Sequence, residues 1–248
     1  MQQLPRHRGH FYNWYDTQSL QPLAPLYVSA VDSGNLAGHL LTLRPGLEEL
    51  PDQPVFQPRV LQGLLDTLAL LHDTLDADAA RALEPLRQQL QAGLATSPVI
   101  TGAATVLLQR LRGHAQALQP MLDSEPGSDA RFWLDALLAQ CDELCVEAAA
   151  FELDPPADDE VGFGGIPTLR QLGRIEPLAW PAEADAEGVR ERARARLAAI
   201  EQLAQLAGEL ALVDYRFLYD GARDLLAIGF NVDQRRLDAG YYDLLASE

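Results

Sequence analysis

Apolar residues recur at every third or fourth position over much of this chain, which is the spacing of amphipathic α-helices. The stripe is clearest from Pro58 onward, where the apolar positions are Val60, Leu61, Leu64, Leu65, Leu68 and Leu71. Similar stripes predict a helix over residues 78–94, a third that stops before Pro120, and a fourth that follows Gly127-Ser128-Asp129. A long helix is predicted over residues 186–214.

The ends of several elements are predicted from capping and breaking residues. Asp32 and Ser33 offer an N-cap for a helix over residues 34–43, which we expect Pro45-Gly46 to interrupt. Residues 51–58 hold three prolines, and residues 154–183 are rich in proline and glycine. We therefore expect irregular chain in both stretches, with one short helix at residues 168–174 in the second.

The periodicity changes near the C-terminal end of the sequence. Residues 215–219 and 225–230 are rich in β-prone side chains and flank Asp220-Gly221, which is a hairpin signal. Asp238 is predicted to cap a further helix that begins near Ala239. Together these patterns predict an all-α fold with one β-hairpin.

Composition narrows the range of ligands. The formal net charge is −17, and all 19 basic residues are arginine. The absence of lysine excludes a Schiff-base lysine and a phosphate-loop lysine, and the acidic balance argues against a nucleic-acid partner, which needs clustered positive charge. A neutral glycan is compatible, because it is recognised through stacking faces and hydrogen bonds.

No pattern predicts a metal site or a cofactor. His7 and His10 lack a third ligand at a usual spacing, and the acidic residues 158–160 lack the EF-hand spacing. Cys141 and Cys145 are four residues apart and are predicted to be buried free thiols, which fits a reducing compartment. No signal-peptide pattern and no apolar run of membrane length occurs, so we expect a soluble segment without direct membrane contact.

Two short runs concentrate aromatic, amide and carboxylate side chains. They are residues 10–17, HFYNWYDT, and residues 27–39, YVSAVDSGNLAGH. Neither has regular periodicity until Leu36, so both are predicted to be loop leading into a helix. Binding groups concentrate on loops held by a rigid scaffold. The alternative is that Tyr12, Trp14 and Tyr15 only cover the end of a helical core.

These runs, together with residues 217–220, 228–233, 237–238 and 241–248, resemble the glucoamylase-like domain of bacterial cyclic β-1,2-glucan synthases. The resemblance implies a partial (α/α)6 toroid of helical hairpins. Residues 1–9 would be a linker, and residues 10–248 would be the N-terminal part of the toroid domain, cut at its C-terminal end.

The resemblance also implies a function. The domain cyclises linear β-1,2-glucan by retaining transglycosylation, within a large parent on the cytoplasmic side of the bacterial inner membrane that uses a UDP-glucose donor elsewhere in its length. Its two catalytic glutamates lie in motifs beyond the last block present here, so we expect this chain alone to be inactive and assign it no catalytic residue. The implied partners are β-1,2-glucan and the remaining domains of the parent.

Substrate-binding roles are assigned to residues of the same runs. Stacking on glucosyl faces is predicted for Tyr12, Trp14 and Tyr15. Hydrogen bonding to hydroxyls is predicted for Asn13, Asp16, Asp32 and Asn35, and an approach to the cleft for Tyr241, Tyr242 and Asp243. Purely structural roles stay open, among them helix capping by Asp32, bracing of the loop by Asn35 and a favourable dipole contact for Asp243.

Two other functions remain open at this point. One is a hydrolytic endo-β-1,2-glucanase relative, in which water replaces the sugar acceptor. The other is a helical glycan-binding or scaffold module without catalysis.

Overall fold

The computed structural model describes residues 1–96, 101–122, 127–152, 163, 165–180 and 184–242. Within them the helices are α1 Ala30–Glu49, α2 Arg59–Asp73, α3 Ala77–Ala82, α4 Glu84–Thr96, α5 Thr101–Leu122, α6 Asp129–Ala150, α7 Leu169–Leu172 and α8 Ala186–Ala211. The strands are β1 Arg6–His7, β2 His10–Phe11, β3 Tyr27–Ser29, β4 Tyr219–Asp220, β5 Leu225–Ala227, β6 Gly229–Asn231, β7 Arg236–Leu237 and β8 Tyr241–Tyr242. The predicted all-α class with minor β structure is confirmed.

The chain forms two compact units. The first consists of Met1–Leu50 and Ala199–Glu248, and the second is Pro51–Ala198. The second unit is therefore inserted in sequence between the two parts of the first. We find no helix, among the residues described, with the length and apolar character needed to cross a membrane.

Helices α2, α4, α5 and α6 form the core of the second unit. Each of the four packs against two of the others, in the cyclic order α2, α4, α5, α6. Fully buried leucines fill the space between them, among them Leu61, Leu90, Leu108, Leu111 and Leu134. The stripe predicted for α2 thus faces this core. Cys141 is a buried free thiol whose pKa burial raises to about 12, and Cys145 is free and half-buried.

Small antiparallel sheets bring the two parts of the first unit together. Strand β3 pairs with β6, with Tyr27 opposite Asn231 and Ser29 opposite Gly229, and β6 pairs in turn with β7. A second sheet has the order β4-β5-β8, and β1 pairs with β2. The predicted hairpin around Asp220-Gly221 is confirmed as β4 and β5. The sequence predicted one hairpin, whereas the structure has more, since β6 and β7 also form a hairpin.

Strands β3 and β6 are held in contact by a close approach at Gly229. A Cβ atom at that position would overlap the phenol ring of Tyr27. The Tyr27 hydroxyl donates a hydrogen bond to the Asp238 carboxylate, and the Asp238 amide donates to the Gly229 carbonyl at 3.1 Å. Glycine is needed here for space, since the tyrosine ring occupies the volume of a side chain.

Four predicted helix boundaries were wrong. Helix α1 begins at Ala30 and runs through Pro45, and α5 runs through Pro120. Both prolines are exposed, so the carbonyl that each leaves without an N–H partner can be solvated. The helix predicted over residues 78–94 is broken at Leu83, which places Pro85 in the first turn of α4, where its missing N–H is tolerated.

Two predicted caps were also wrong. The N-cap of α1 is Ser29, whose Oγ accepts from the Asp32 amide at 3.1 Å, so Asp32 lies in the first turn. Asp238 does not cap a helix, since its carboxylate accepts from Tyr27. The chain beyond it forms β8, which pairs with β5. The predicted start of α6 at Gly127-Ser128-Asp129 and the short helix within residues 168–174 are confirmed, and Ser128 is the N-cap of α6.

We predict that Gly229→Ala destabilises the protein by about 1–3 kcal/mol, because the new methyl group forces the Tyr27 ring and the β3–β6 pair apart. The free energy of unfolding in urea measures the effect. Gly38→Ala is the matched control in the same unit. Gly38 lies within α1, and a Cβ there would meet no atom within 4 Å apart from the backbone of its own helix. The substitution should therefore stabilise the protein by roughly 0.5–1 kcal/mol. Equal effects of the two substitutions would contradict the steric argument.

Candidate functional site

A cavity of about 130 Å³ lies in the first unit, beside the first aromatic run. Strand β2 and the loop after it supply one side, and the first turns of α1 supply a second. Leu210 near the end of α8 and Val213 supply a third. The polar side chains among its lining belong to His10, Tyr12, Asn13, Asp32 and Ser33. This is the place where the structure brings predicted site residues together.

Asn13 is fixed by both its backbone and its side chain. Its amide donates to the Tyr27 carbonyl at 2.9 Å, and its Oδ1 accepts from the Ser29 amide at 3.2 Å. The loop is thereby attached to strand β3 one residue before α1 begins. The side-chain oxygen of Asn13 already has a structural partner. The side-chain nitrogen, Nδ2, is the group of this residue with capacity left for a ligand.

Asp32 supplies the carboxylate of this cavity. Its side chain is exposed and projects from the first turn of α1. The positive end of a helix dipole favours a negative charge at this place. An ionised carboxylate only accepts hydrogen bonds, so Asp32 can accept from hydroxyl groups while the side-chain amide of Asn13 donates to them.

His10 is a cavity residue to which the sequence assigned no role beyond a rejected metal pair. Its side chain is 1% exposed, and its ring packs edge-on against Tyr215 and Phe217 with centroids 5.0 and 5.2 Å away. Nε2 lies 3.0 Å from the Asp214 carbonyl oxygen. Since a carbonyl can only accept, Nε2 carries the proton and Nδ1 is left as an acceptor.

Burial determines the charge of this imidazole. Desolvation lowers the pKa of His10, and the neighbouring His7 lowers it further, while the Asp214 carbonyl and carboxylate act in the opposite direction. The ring is therefore neutral at pH 7. Nδ1 has no hydrogen-bond partner within the described part of the chain. In the sequence, His10 is marked only by its place at the start of the aromatic residues 10–17. That position does not distinguish a buried, cavity-lining histidine from an exposed one.

Tyr15 and Asp16 hold the loop in shape. The Tyr15 hydroxyl donates to the Pro5 carbonyl at 2.7 Å and accepts from the Tyr12 amide at 2.9 Å. Asp16 Oδ1 accepts from the amide and the hydroxyl of Ser19 at 2.6 and 2.8 Å. These bonds hold the pKa of the Asp16 carboxyl below its usual value. Neither side chain lines the cavity.

The remaining predicted residues are dispersed. Trp14 is 49% exposed, and Asn35 is exposed on α1; neither lines the cavity. Tyr241 donates from its hydroxyl to Asp220 at 2.8 Å, and Tyr242 belongs to β8. Asp243 lies outside the described residues. The geometry thus gathers Tyr12, Asn13 and Asp32 out of the larger predicted set.

The cavity combines hydrogen-bonding groups with little charge. Asp32 is the one carboxylate among the described residues that line it. No group of three or more metal-binding side chains occurs in the part of the chain that the structure describes. Such a lining can orient hydroxyl groups, whereas double-carboxylate glycoside chemistry requires a second acid.

The chain shows sequence similarity to a known protein along nearly its whole length. No family model matches the chain. The sequence is similar to part of a cyclic β-(1,2)-glucan synthase. That relative is NdvB of Rhizobium meliloti (strain 1021), which is 30% identical over 263 residues. The similarity covers 99% of this chain, and the chain spans about 8% of the length of NdvB. It supports a relationship between this chain and that synthase.

We predict that His10 titrates below pH 6.5 and is protonated on Nε2 at neutral pH. Because folding lowers the pKa of His10, the neutral ring contributes its full stability to the fold above the pKa of the unfolded chain. That contribution is lost as the pH falls through the folded pKa, since the buried ring must then take up a proton. Nitrogen-15 NMR of the imidazole rings measures both the tautomer and the pKa. The urea-unfolded chain is the control, in which this histidine should titrate near its ordinary value. A folded pKa at or above 6.5 would contradict the assigned burial.

Proposed function

We propose that this chain is part of a cyclic β-1,2-glucan synthase and that its first unit contacts linear β-1,2-glucan. The observation that carries the proposal is the similarity to NdvB over nearly the whole chain. It is supported by the cavity that gathers Tyr12, Asn13 and Asp32. Both sequence blocks that resemble the glucoamylase-like domain contribute strands to one sheet in this unit.

The size of the cavity suggests which part of a sugar it receives. A volume of about 130 Å³ is below the roughly 300–1,000 Å³ of pockets that enclose a whole drug-sized ligand. It therefore suits the hydroxyl-bearing edge of a glucosyl unit rather than a whole chain segment. Trp14 is exposed on the loop that leads away from the cavity and offers an aromatic face for a neighbouring glucosyl unit.

We propose binding without turnover for this chain alone. Retaining transglycosylation needs a nucleophile and an acid/base about 5–5.5 Å apart. Among the described residues that line the cavity, Asp32 is the single carboxylate, while Asp16 is engaged with Ser19. The toroid, the boundary at residue 10 and a membrane-anchored parent that supplies the catalytic pair are parts of this same proposal.

The experiment is incubation of the chain with linear β-1,2-glucan, followed by calorimetry and by mass analysis of the products. The expected result is saturable binding with an unchanged chain-length distribution. Cyclic products would show that this chain carries the cyclising pair, and shortened linear chains would favour the hydrolytic relative. Absence of binding would overturn the proposed contact.

We predict that Trp14→Ala and Asp32→Asn each weaken glucan binding about three- to tenfold, the equivalent of roughly 0.7–1.4 kcal/mol. The first removes an exposed stacking face, and the second replaces one of the two acceptor oxygens of residue 32 with a donor. Calorimetric titration measures both. Phe132→Ala is the control, because it removes an aromatic ring of comparable exposure from α6 in the second unit. Equal loss in the control and in Trp14→Ala would contradict a site in the first unit.

A further inference from the structure

A larger groove lies in the second unit, and none of its lining residues is among those to which the sequence assigned binding. Its volume is about 700 Å³. The residues that line it come from the segment before α2, from α7 and the turn after it, and from Phe163 and Trp180. None of them belongs to the runs that resemble the glucoamylase-like domain.

Two aromatic rings form one part of this groove. The rings of Phe163 and Trp180 stack with their centroids 5.8 Å apart and their planes inclined by 25°. Trp180 is 6% exposed, so the pair is part of the wall rather than a protruding side chain. Paired aromatic faces beside a cavity of this size are typical of small-molecule sites.

The charged side chains of the groove balance. Arg170 and Arg174 face Asp52 and Glu176, and Arg170 holds Asp52 through two hydrogen bonds, from Nε at 2.7 Å and from Nη2 at 3.2 Å. This ion pair raises the pKa of Arg170 and lowers that of Asp52. A lining with equal numbers of guanidinium and carboxylate groups suits a neutral ligand that both donates and accepts hydrogen bonds.

One buried donor of the groove is unsatisfied. The indole Nε1 of Trp180 is covered and has no acceptor within the described part of the chain. A buried N–H without an acceptor is costly, and the indole N–H can only donate. A rotation of the indole ring that turned this N–H toward the groove would let a ligand hydroxyl supply the missing acceptor.

We propose that this groove binds a neutral polyhydroxylated chain and is a second glucan-contacting site. Trp180 would contribute the hydrogen-bond donor to the ligand. The identity of the ligand as β-1,2-glucan rests on the proposed function, whereas the preference for a neutral hydroxyl-rich ligand rests on the groove itself. A volume of 700 Å³ accommodates more than a single glucosyl edge, so this site would hold a chain segment.

The test is fluorine-19 NMR of the full chain labelled with 5-fluorotryptophan, titrated with linear β-1,2-glucan. The chain has three tryptophans, and loss of one signal in Trp180→Phe assigns that residue. The expected result is a saturable shift of the Trp180 signal, with the signal of Trp133, which packs against the helical core, unchanged. Trp180→Phe keeps an aromatic face but removes both the donor and the reporter, so its affinity for the glucan is measured by calorimetry and should fall about two- to tenfold.

Arginine substitutions provide the matched pair of variants. Arg174→Ala removes a wall residue of the groove and should weaken the Trp180 shift by a similar factor. Arg110→Ala removes an exposed arginine on α5, away from the groove, and should leave the shift unchanged. Equal effects of the two would overturn the proposal, since loss of overall positive charge would then explain both.

The outcomes separate this inference from the proposed function. If glucan binds and shifts Trp14 but not Trp180, the second site is overturned and the proposed function stands. If Trp180 shifts and Trp14 does not, the groove stands as the glucan site and the contact at the first unit fails. A shift of Trp180 with inorganic phosphate but not with glucan would identify an anion site and overturn the inference.

Discussion

The pairing of β3 with β6 is the interaction on which the first unit depends. It joins residues that lie about 200 positions apart in the chain, and such a contact orders a long stretch of backbone before it contributes any stabilisation. Compensation comes from dense local contacts: Tyr27 packs onto Gly229, and Val232 and Ala30 donate to the carbonyls of Leu26 and Ile228 at 2.7 and 3.0 Å. The sheet therefore acts as the frame of the unit.

The cavity is a direct consequence of this frame. Asn13 is attached to Tyr27 and Ser29, and Ser29 both ends β3 and caps α1. Ser29 thus fixes the start of α1, the helix that carries Asp32, relative to the sheet. The groove around Trp180 is built differently, from an ion pair and stacked rings rather than from a strand register. The two sites accordingly have independent structural supports.

Much of the helical structure could be predicted because periodicity reports burial directly. The stripe from Val60 to Leu71 and the helix start at Gly127-Ser128-Asp129 depend only on nearby residues. The wrong ends have a common physical cause. Whether Pro45 ends a helix depends on the exposure of the carbonyl it leaves free, and whether Asp238 caps a helix depends on Tyr27, which is distant in sequence.

The clustering of Tyr12, Asn13 and Asp32 likewise needs the strand register. The buried state of His10 depends on Asp214, Tyr215 and Phe217, which no local pattern reveals.

The insertion of the second unit between the two parts of the first has a consequence for synthesis on the ribosome. Strand β3 emerges from the ribosome before its partner β6, and the whole of Pro51–Ala198 lies between them in the chain. At translation rates of about 5–20 residues per second, those roughly 150 residues take on the order of 10–30 s. During that interval the inserted helices can already pack, because their contacts are within the emerged chain. The aromatic run and the open edge of β3 must wait, so the nascent first unit is the part of this protein that is exposed to premature association while it is being made.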